Sequence, residues 1–168
     1  VLPFFKTSTR LRRILGKTTT QGSAEGELKA VCEKLNTKLL SQSVSEVMHS
    51  NLATLRADNS VEDLLTLFKT RRFSIYPIVS DDGKLTGGLS REDFFDYIKR
   101  EEVTRDSTLQ GVELIHLPIC RPDETVEQAL EKMIRSGRYK CFVTDEEMNL
   151  LGILTVMDLF GEAVEQAV

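Results

Sequence analysis

Apolar residues recur along the chain at two different spacings, and the alternation between them lays out the elements. Leu28, Val31, Cys32, Leu35 and Leu39 fall on one face at helical spacing, which predicts a helix over about 25–40. Val61, Leu64, Leu65 and Phe68 repeat that spacing directly after Ser60, as Val126, Ala129, Leu130 and Met133 do after Thr125. Each hydroxyl residue is therefore placed as the N-cap of an amphipathic helix of about ten residues. Gln128, at the third position beyond Thr125, completes a capping box. The spacing then shortens to that of strands. Ile75 to Val79 and Leu85 to Leu89 are apolar runs joined by Ser80-Asp81-Asp82-Gly83, a segment with hairpin-turn chemistry. Cys141 to Val143 and Leu150 to Leu154 form the second such pair, but Glu147-Met148-Asn149 stands where glycine would be, so that turn must differ. A helix follows each pair, over about Glu92 to Lys99 and Met157 to Val164.

These elements occur twice at a fixed offset. A shift of 65 places Arg56, Asp58, Val61, Glu62 and Leu65 on Arg121, Asp123, Val126, Glu127 and Leu130. The same shift, without a gap, places Leu85, Gly87, Leu89, Asp93 and Phe95 on Leu150, Gly152, Leu154, Asp158 and Phe160. Ser60 aligns with Thr125 and Ser90 with Thr155, so the caps coincide as well as the core. The order in each copy is strand, helix, strand, strand, helix. One such copy cannot cover both faces of its sheet, so the two are expected to pack sheet against sheet about a pseudo-twofold axis.

Composition narrows the function classes. With 168 residues, of which 40% are hydrophobic, the chain can bury a core of ordinary size. A net charge of −4 excludes the broad basic face that nucleic-acid binding requires. Cys32, Cys120 and Cys141 are odd in number and lack C-x-x-C spacing, which argues against a disulfide framework, against structural zinc, and for a reducing, cytoplasmic setting. His49 and His116 lie 67 positions apart with no cysteine or carboxylate cluster at ligand spacing, so no metal site is expected. No run of about 18 apolar residues marks a membrane span. The charge is unevenly spread, because no acidic residue precedes Glu25 while Lys6, Arg10, Arg12, Arg13 and Lys17 are basic. Interleaved with Leu2, Phe4, Phe5, Leu11, Ile14 and Leu15, they compose a short amphipathic helix. It suits either an anionic membrane surface or a neighbouring face of the protein. The resulting division is a basic segment and linker over 1–24, a connecting helix over 25–42, and repeats over 43–100 and 101–168.

The duplicated segment resembles the CBS-domain pair, or Bateman module. The residues that carry the likeness are Val44-Ser45-Glu46-Val47-Met48, Tyr76-Pro77-Ile78-Val79 and Gly87-Gly88-Leu89-Ser90-Arg91-Glu92-Asp93 in the first copy. In the second they are Arg121-Pro122-Asp123-Glu124-Thr125-Val126-Glu127 and Gly152-Ile153-Leu154-Thr155-Val156-Met157-Asp158. The second copy departs from the pattern at Cys141-Phe142-Val143, where proline is usual, and over Leu114 to Cys120. The resemblance implies an α/β (α+β) fold of tandem CBS repeats, each β-α-β-β-α, and an adenine nucleotide, AMP, ADP or ATP, as ligand, with no required cofactor.

The resemblance also distributes roles among the residues. Asp93 and Asp158 would accept hydrogen bonds from ribose hydroxyls, and Ser90 and Thr155 would contact phosphate. Ile78 and Val143, with neighbours near Leu52 and Ile119, would flank adenine. From their position, Gly87 and Gly152 permit close backbone approach, and the free amides of the following helix suit phosphate oxygens. Arg72 and Arg138, with Arg71, Arg135 and Lys140, flank the strands and could offset phosphate charge. Ser or Thr followed by x-x-Asp is equally a plain N-cap that needs no ligand. No group of residues assembles nucleophile, base and oxyanion donors, so the chain is expected to be a regulatory module and not an enzyme. The expected partners are a second copy, met through Phe94, Phe95, Leu159 and Phe160, and a larger host such as an ion transporter or channel. The basic segment loosely resembles the juxtamembrane stretch of CBS-bearing cation-efflux transporters. The alternatives are a stand-alone soluble protein that regulates an enzyme by contact, and a ligand-free dimerisation module.

Overall fold

In the computed structural model the described residues are 24–71, 73, 75–100 and 104–167, so the basic segment over 1–24 lies almost wholly outside them. Helices α1 (Ala24–Lys34) and α2 (Thr37–Ser41) replace the single helix expected over 25–40. The break falls at Asn36, whose side chain accepts from the Leu39 amide at 2.7 Å and so starts a new helix. After the short α3 (Val44–Val47) come α4 (Val61–Thr70), the hairpin β1 (Ile75–Val79) and β2 (Leu85–Ser90), and α5 (Arg91–Lys99). The second series is β3 (Ile119–Cys120), α6 (Val126–Ser136), β4 (Lys140–Thr144), β5 (Leu150–Thr155) and α7 (Val156–Ala167).

The caps act where the hydroxyls predict. Thr125 and Gln128 form the expected capping box on α6, and Ser60 forms another on α4 with Asp63. Helix α6 ends at Gly137, at φ 68, where glycine takes the left-handed position without a Cβ clash. The hairpin turns also follow the 65-residue offset. Gly83 sits at φ 81, and its counterpart Met148 is forced to φ 66, an unusual conformation for a residue with a side chain. The two turns meet at equivalent positions, because Lys84 bridges Asn149 and donates from Nζ to Asn149 Oδ1 at 2.9 Å.

The first strand of each copy is shorter than expected. In the second copy β3 pairs in parallel with β4, Cys120 opposite Val143, whereas in the first a single parallel bridge joins Leu55 to Ile78. Ser43 and His49 bridge Thr125 and Ile153, and Thr108 and Ile115 bridge Ser60 and Gly88. The segment that leads into each copy therefore pairs with the strands of the other.

This exchange divides the chain into two interleaved compact units. Among the described residues, one contains 24–50 with Pro118–Val143 and 151–167, and the other contains those of 51–117 with Thr144–Leu150. The core of the first is built by Val31, Leu39 and Val44 with Leu130, Met133, Cys141, Val143 and Leu159. The hydrogen bond with Cys120, together with burial, pushes the Cys141 thiol far above its ordinary range, so it acts as a small apolar group. The core of the second is Leu55, Val61, Leu64, Tyr76, Ile78, Leu89, Phe94 and Leu109. The half-buried Phe68 packs against it, 5.1 Å from the Tyr76 ring and 5.6 Å edge-on to Phe94.

The exchanged segments explain Gly87 and Gly152. A Cβ on Gly87 would lie 2.8 Å from Leu114 Cβ, and one on Gly152 would lie 2.6 Å from Met48 Sδ and 2.9 Å from the His49 carbonyl. The close approach that these glycines permit is to the lead-in segment. Gly152→Ala is expected to cost about 1–3 kcal/mol through overpacking, whereas Gly161→Ala, in open space on α7, should stabilise by about 0.5–1 kcal/mol. Urea unfolding of the two variants checks both signs.

Candidate functional site

Each unit carries one glycine strand that runs into a capped helix, with a lead-in segment laid across it. In the first unit β5 delivers Thr155 as its last residue, and α7 begins at once. The Thr155 hydroxyl accepts from the Asp158 amide at 3.1 Å and donates to Asp158 Oδ2 at 2.6 Å. The other carboxylate oxygen, Oδ1, lies 3.2 Å from His49 Nε2. His49 is held there by its backbone, which exchanges two 2.9 Å hydrogen bonds with Ile153. Among the described residues, the Asp158 carboxylate therefore has a partner on each oxygen.

The second unit repeats the frame with different contents. Ser90 ends β2 and caps α5, accepting from the Asp93 amide at 3.0 Å. Ile115 occupies the crossing position, exchanging hydrogen bonds of 2.7 and 2.8 Å with Gly88. Gly88 and Ile153 are related by the 65-residue shift, so Ile115 is the structural counterpart of His49. An isoleucine cannot pair with a carboxylate, and among the described residues the half-buried Asp93 carboxylate makes no hydrogen bond or ion pair.

The expected site residues separate on this frame. Ser90 with Asp93, and Thr155 with Asp158, are brought together at helix starts beside the buried Gly87 and Gly152. The side chains of Ile78 and Val143, expected to flank adenine, lie in the two cores at 2% and 0% exposure. Arg72 lies outside the described residues. Arg138 is exposed beside Tyr139, and Arg135 is committed to Glu25 at 2.9 Å and Glu131 at 3.0 Å. The free amides expected at the helix start are fewer than the position implies. The Val156 amide donates to the Tyr139 carbonyl at 3.0 Å and the Asp158 amide to Thr155, leaving Met157 in the first turn of α7 among the described residues.

Sequence reasoning missed the lead-in residues, above all His49, and it missed Tyr139. Tyr139 takes φ 58, and its hydroxyl donates to Glu27 of α1 at 2.5 Å while its carbonyl holds the start of α7. The connecting helix is thus tied directly to the residue beside the Thr155 cap. A positive φ on tyrosine carries no sequence signal, whereas the spacing of His49 ahead of the first repeat was available.

Chemically, each junction offers a carboxylate acceptor and hydroxyl within the positive end of a helix dipole, a combination suited to a ligand carrying both hydroxyls and a negative charge. Among the described residues no group of three His, Cys, Asp or Glu side chains could hold a metal ion, and no helix is long and apolar enough to cross a membrane.

Comparison with known proteins places this geometry. The family profile of the CBS domain matches residues 44–100 and 113–165. An uncharacterized protein of Methanocaldococcus jannaschii is 32% identical over 127 residues, which cover 76% of this chain. The chain spans 46% of that relative's own length and 25% of the next. Among solved structures, CBSX2 in complex with AMP superposes with a TM-score of 0.65 at 19% identity, covering 75% of this chain and 98% of that one. The CBS domain of a bacterial CNNM/CorC family Mg2+ transporter in complex with ATP gives the same TM-score of 0.65 at 20% identity, over 84% and 98%.

Both hydroxyls cap their helices whatever else they do. Ser90→Ala and Thr155→Val are each expected to lower the stability of the ligand-free protein by about 1 kcal/mol, read as a shift in urea midpoint at unchanged m-value.

Proposed function

From the premise that the chain belongs to the CBS domain family, we propose that it is a regulatory module that binds an adenine nucleotide and has no catalytic activity of its own. The observation that carries this is the repeated junction itself, a carboxylate and a hydroxyl in the first turn of a helix under a crossing strand. The ligand class is supported by the solved neighbours, one holding AMP and the other ATP. In this reading Asp93 and Asp158 accept the ribose hydroxyls. Ser90, Thr155 and the free Met157 amide take phosphate, with charge offset by Arg138 and Arg72. Ile78 and Val143 stiffen the strands from the cores behind the site instead of touching the base.

The module then reports occupancy to a larger host in the cytoplasm, an ion transporter or channel being the reading we favour. That choice is supported by the CNNM/CorC neighbour. The link from Glu27 through Tyr139 to the start of α7 is the route by which the connecting helix would sense the cleft.

Calorimetry and melting scans test the ligand. AMP or ATP should bind in the micromolar range, roughly −6 to −8 kcal/mol, and raise the melting temperature by mass action, with guanine nucleotides weaker. At least one of Asp93→Asn and Asp158→Asn should weaken binding about tenfold, which is about 1.4 kcal/mol, with the fold intact. A folded protein that no adenine compound shifts at millimolar concentration would instead favour a ligand-free module.

A homodimer is the assembly we propose. Of the aromatic pair at the start of α5, Phe94 is buried at 1% while Phe95 is 63% exposed and Ile98 36%. On α7 Leu159 is buried and Phe160 half-buried. Exposed aromatic surface of this kind is suited to a self-complementary contact. Light scattering should give twice the 19.0 kDa chain mass, and Phe95→Asp should return it to one chain. A wild-type mass of one chain, with and without ATP, would rule the dimer out.

A further inference from the structure

We infer that the two clefts are unequal and that His49 sets the difference, holding the Asp158 carboxylate so that the Asp93 cleft is the one that fills first. The inference rests on the nucleotide reading above and goes beyond it by ranking the clefts and naming the residue that ranks them.

The argument is a comparison of two equivalent acceptors within one chain. A ribose diol is best held by a carboxylate with both oxygens free, one for each hydroxyl. Asp158 has neither free, because Oδ2 accepts from Thr155 at 2.6 Å and Oδ1 faces His49 Nε2 at 3.2 Å. The Thr155 contact is local to the cap, and a hydroxyl rotates easily toward another acceptor. The His49 contact is different in kind. It comes from the crossing segment, and the backbone pairing with Ile153 keeps the imidazole at the cleft. A nucleotide that enters there must move the ring or share its acceptor.

The Asp93 cleft carries no such obstacle. Ile115 holds the crossing position, and the Asp93 carboxylate is without a partner among the described residues. The next residue, His116, is exposed and makes no ion pair among them. Ligand binding at Asp93 thus proceeds without breaking a protein contact, while binding at Asp158 breaks one.

The His49 side chain is 66% exposed and Asp158 30%, so the contact is weak and the ring can swing into solvent. Contacts between exposed polar groups of this kind are worth a factor of about two to five in an equilibrium. His49 therefore lowers the affinity of the second cleft without closing it, and the chain answers to nucleotide in two steps.

AMP titration calorimetry on the full chain tests this, using Asp93→Asn to isolate the Asp158 cleft and Asp158→Asn to isolate the other. The tighter site should weaken about tenfold with Asp93→Asn and keep its affinity with Asp158→Asn. His49→Ala should tighten AMP about two- to fivefold in the Asp93→Asn background and change nothing in the Asp158→Asn background. His49→Gln, which keeps a donor near the carboxylate, should fall between. The inference is overturned if His49→Ala weakens AMP or leaves it unchanged in the Asp93→Asn background, or if the tighter site keeps its affinity in Asp93→Asn. Absence of AMP binding to the wild type and every variant overturns it together with the nucleotide reading, a result separate from binding that ignores His49.

Discussion

The structure depends on one steric constraint, the passage of each lead-in segment across a glycine strand of the other repeat. With Leu114 Cβ 2.8 Å from where a side chain would start on Gly87, and the His49 carbonyl 2.9 Å from the equivalent point on Gly152, no larger residue fits without displacement. The crossing is fixed further by paired backbone hydrogen bonds at Ile153 and at Gly88. Because the two segments are exchanged, neither repeat can form its edge alone. Folding of one repeat is therefore tied to the presence of the other, which is a physical reason for the pair to exist as a pair.

The same crossing makes the candidate sites. It brings a residue from a distant part of the chain over the start of a helix, where a hydroxyl and a carboxylate already stand for reasons of capping. Capping and binding are not competing accounts of Ser90, Asp93, Thr155 and Asp158. The cap uses the amide of the aspartate and one lone pair of the hydroxyl, which among the described residues leaves both Asp93 oxygens for another acceptor role, while at Asp158 the capping hydroxyl also donates to one oxygen. The residue on the crossing strand then decides how available they are. Isoleucine leaves the carboxylate alone, and histidine engages it.

Helix α1 is tied to the same junction. Its Glu27 and Glu25 hold Tyr139 and Arg135, on either side of the turn between α6 and β4. Tyr139 in turn holds the first amide of α7, and its left-handed backbone is tolerated because these bonds over-determine it. The start of α7 and helix α1 are thus joined through one side chain and one carbonyl.

Much of this was written in local order along the chain. Hydroxyl residues ahead of Val61 and Val126 marked helix starts because capping involves only neighbours three positions apart. Gly83 marked a turn for the same reason, and the 65-residue shift exposed the duplication along with the Ser/Thr-x-x-Asp junctions. Asn36 splitting a helix, Met148 bearing a positive φ and Asp63 completing a cap were harder, since each depends on a choice between local conformations of similar energy. The exchange of the lead-in segments, the burial of Ile78 and Val143, and the placement of His49 on Asp158 were decided by tertiary structure alone. Residues more than a hundred positions apart meet there, His49 with Asp158 and Glu27 with Tyr139, and no periodicity along a chain encodes which distant strand will lie across which glycine.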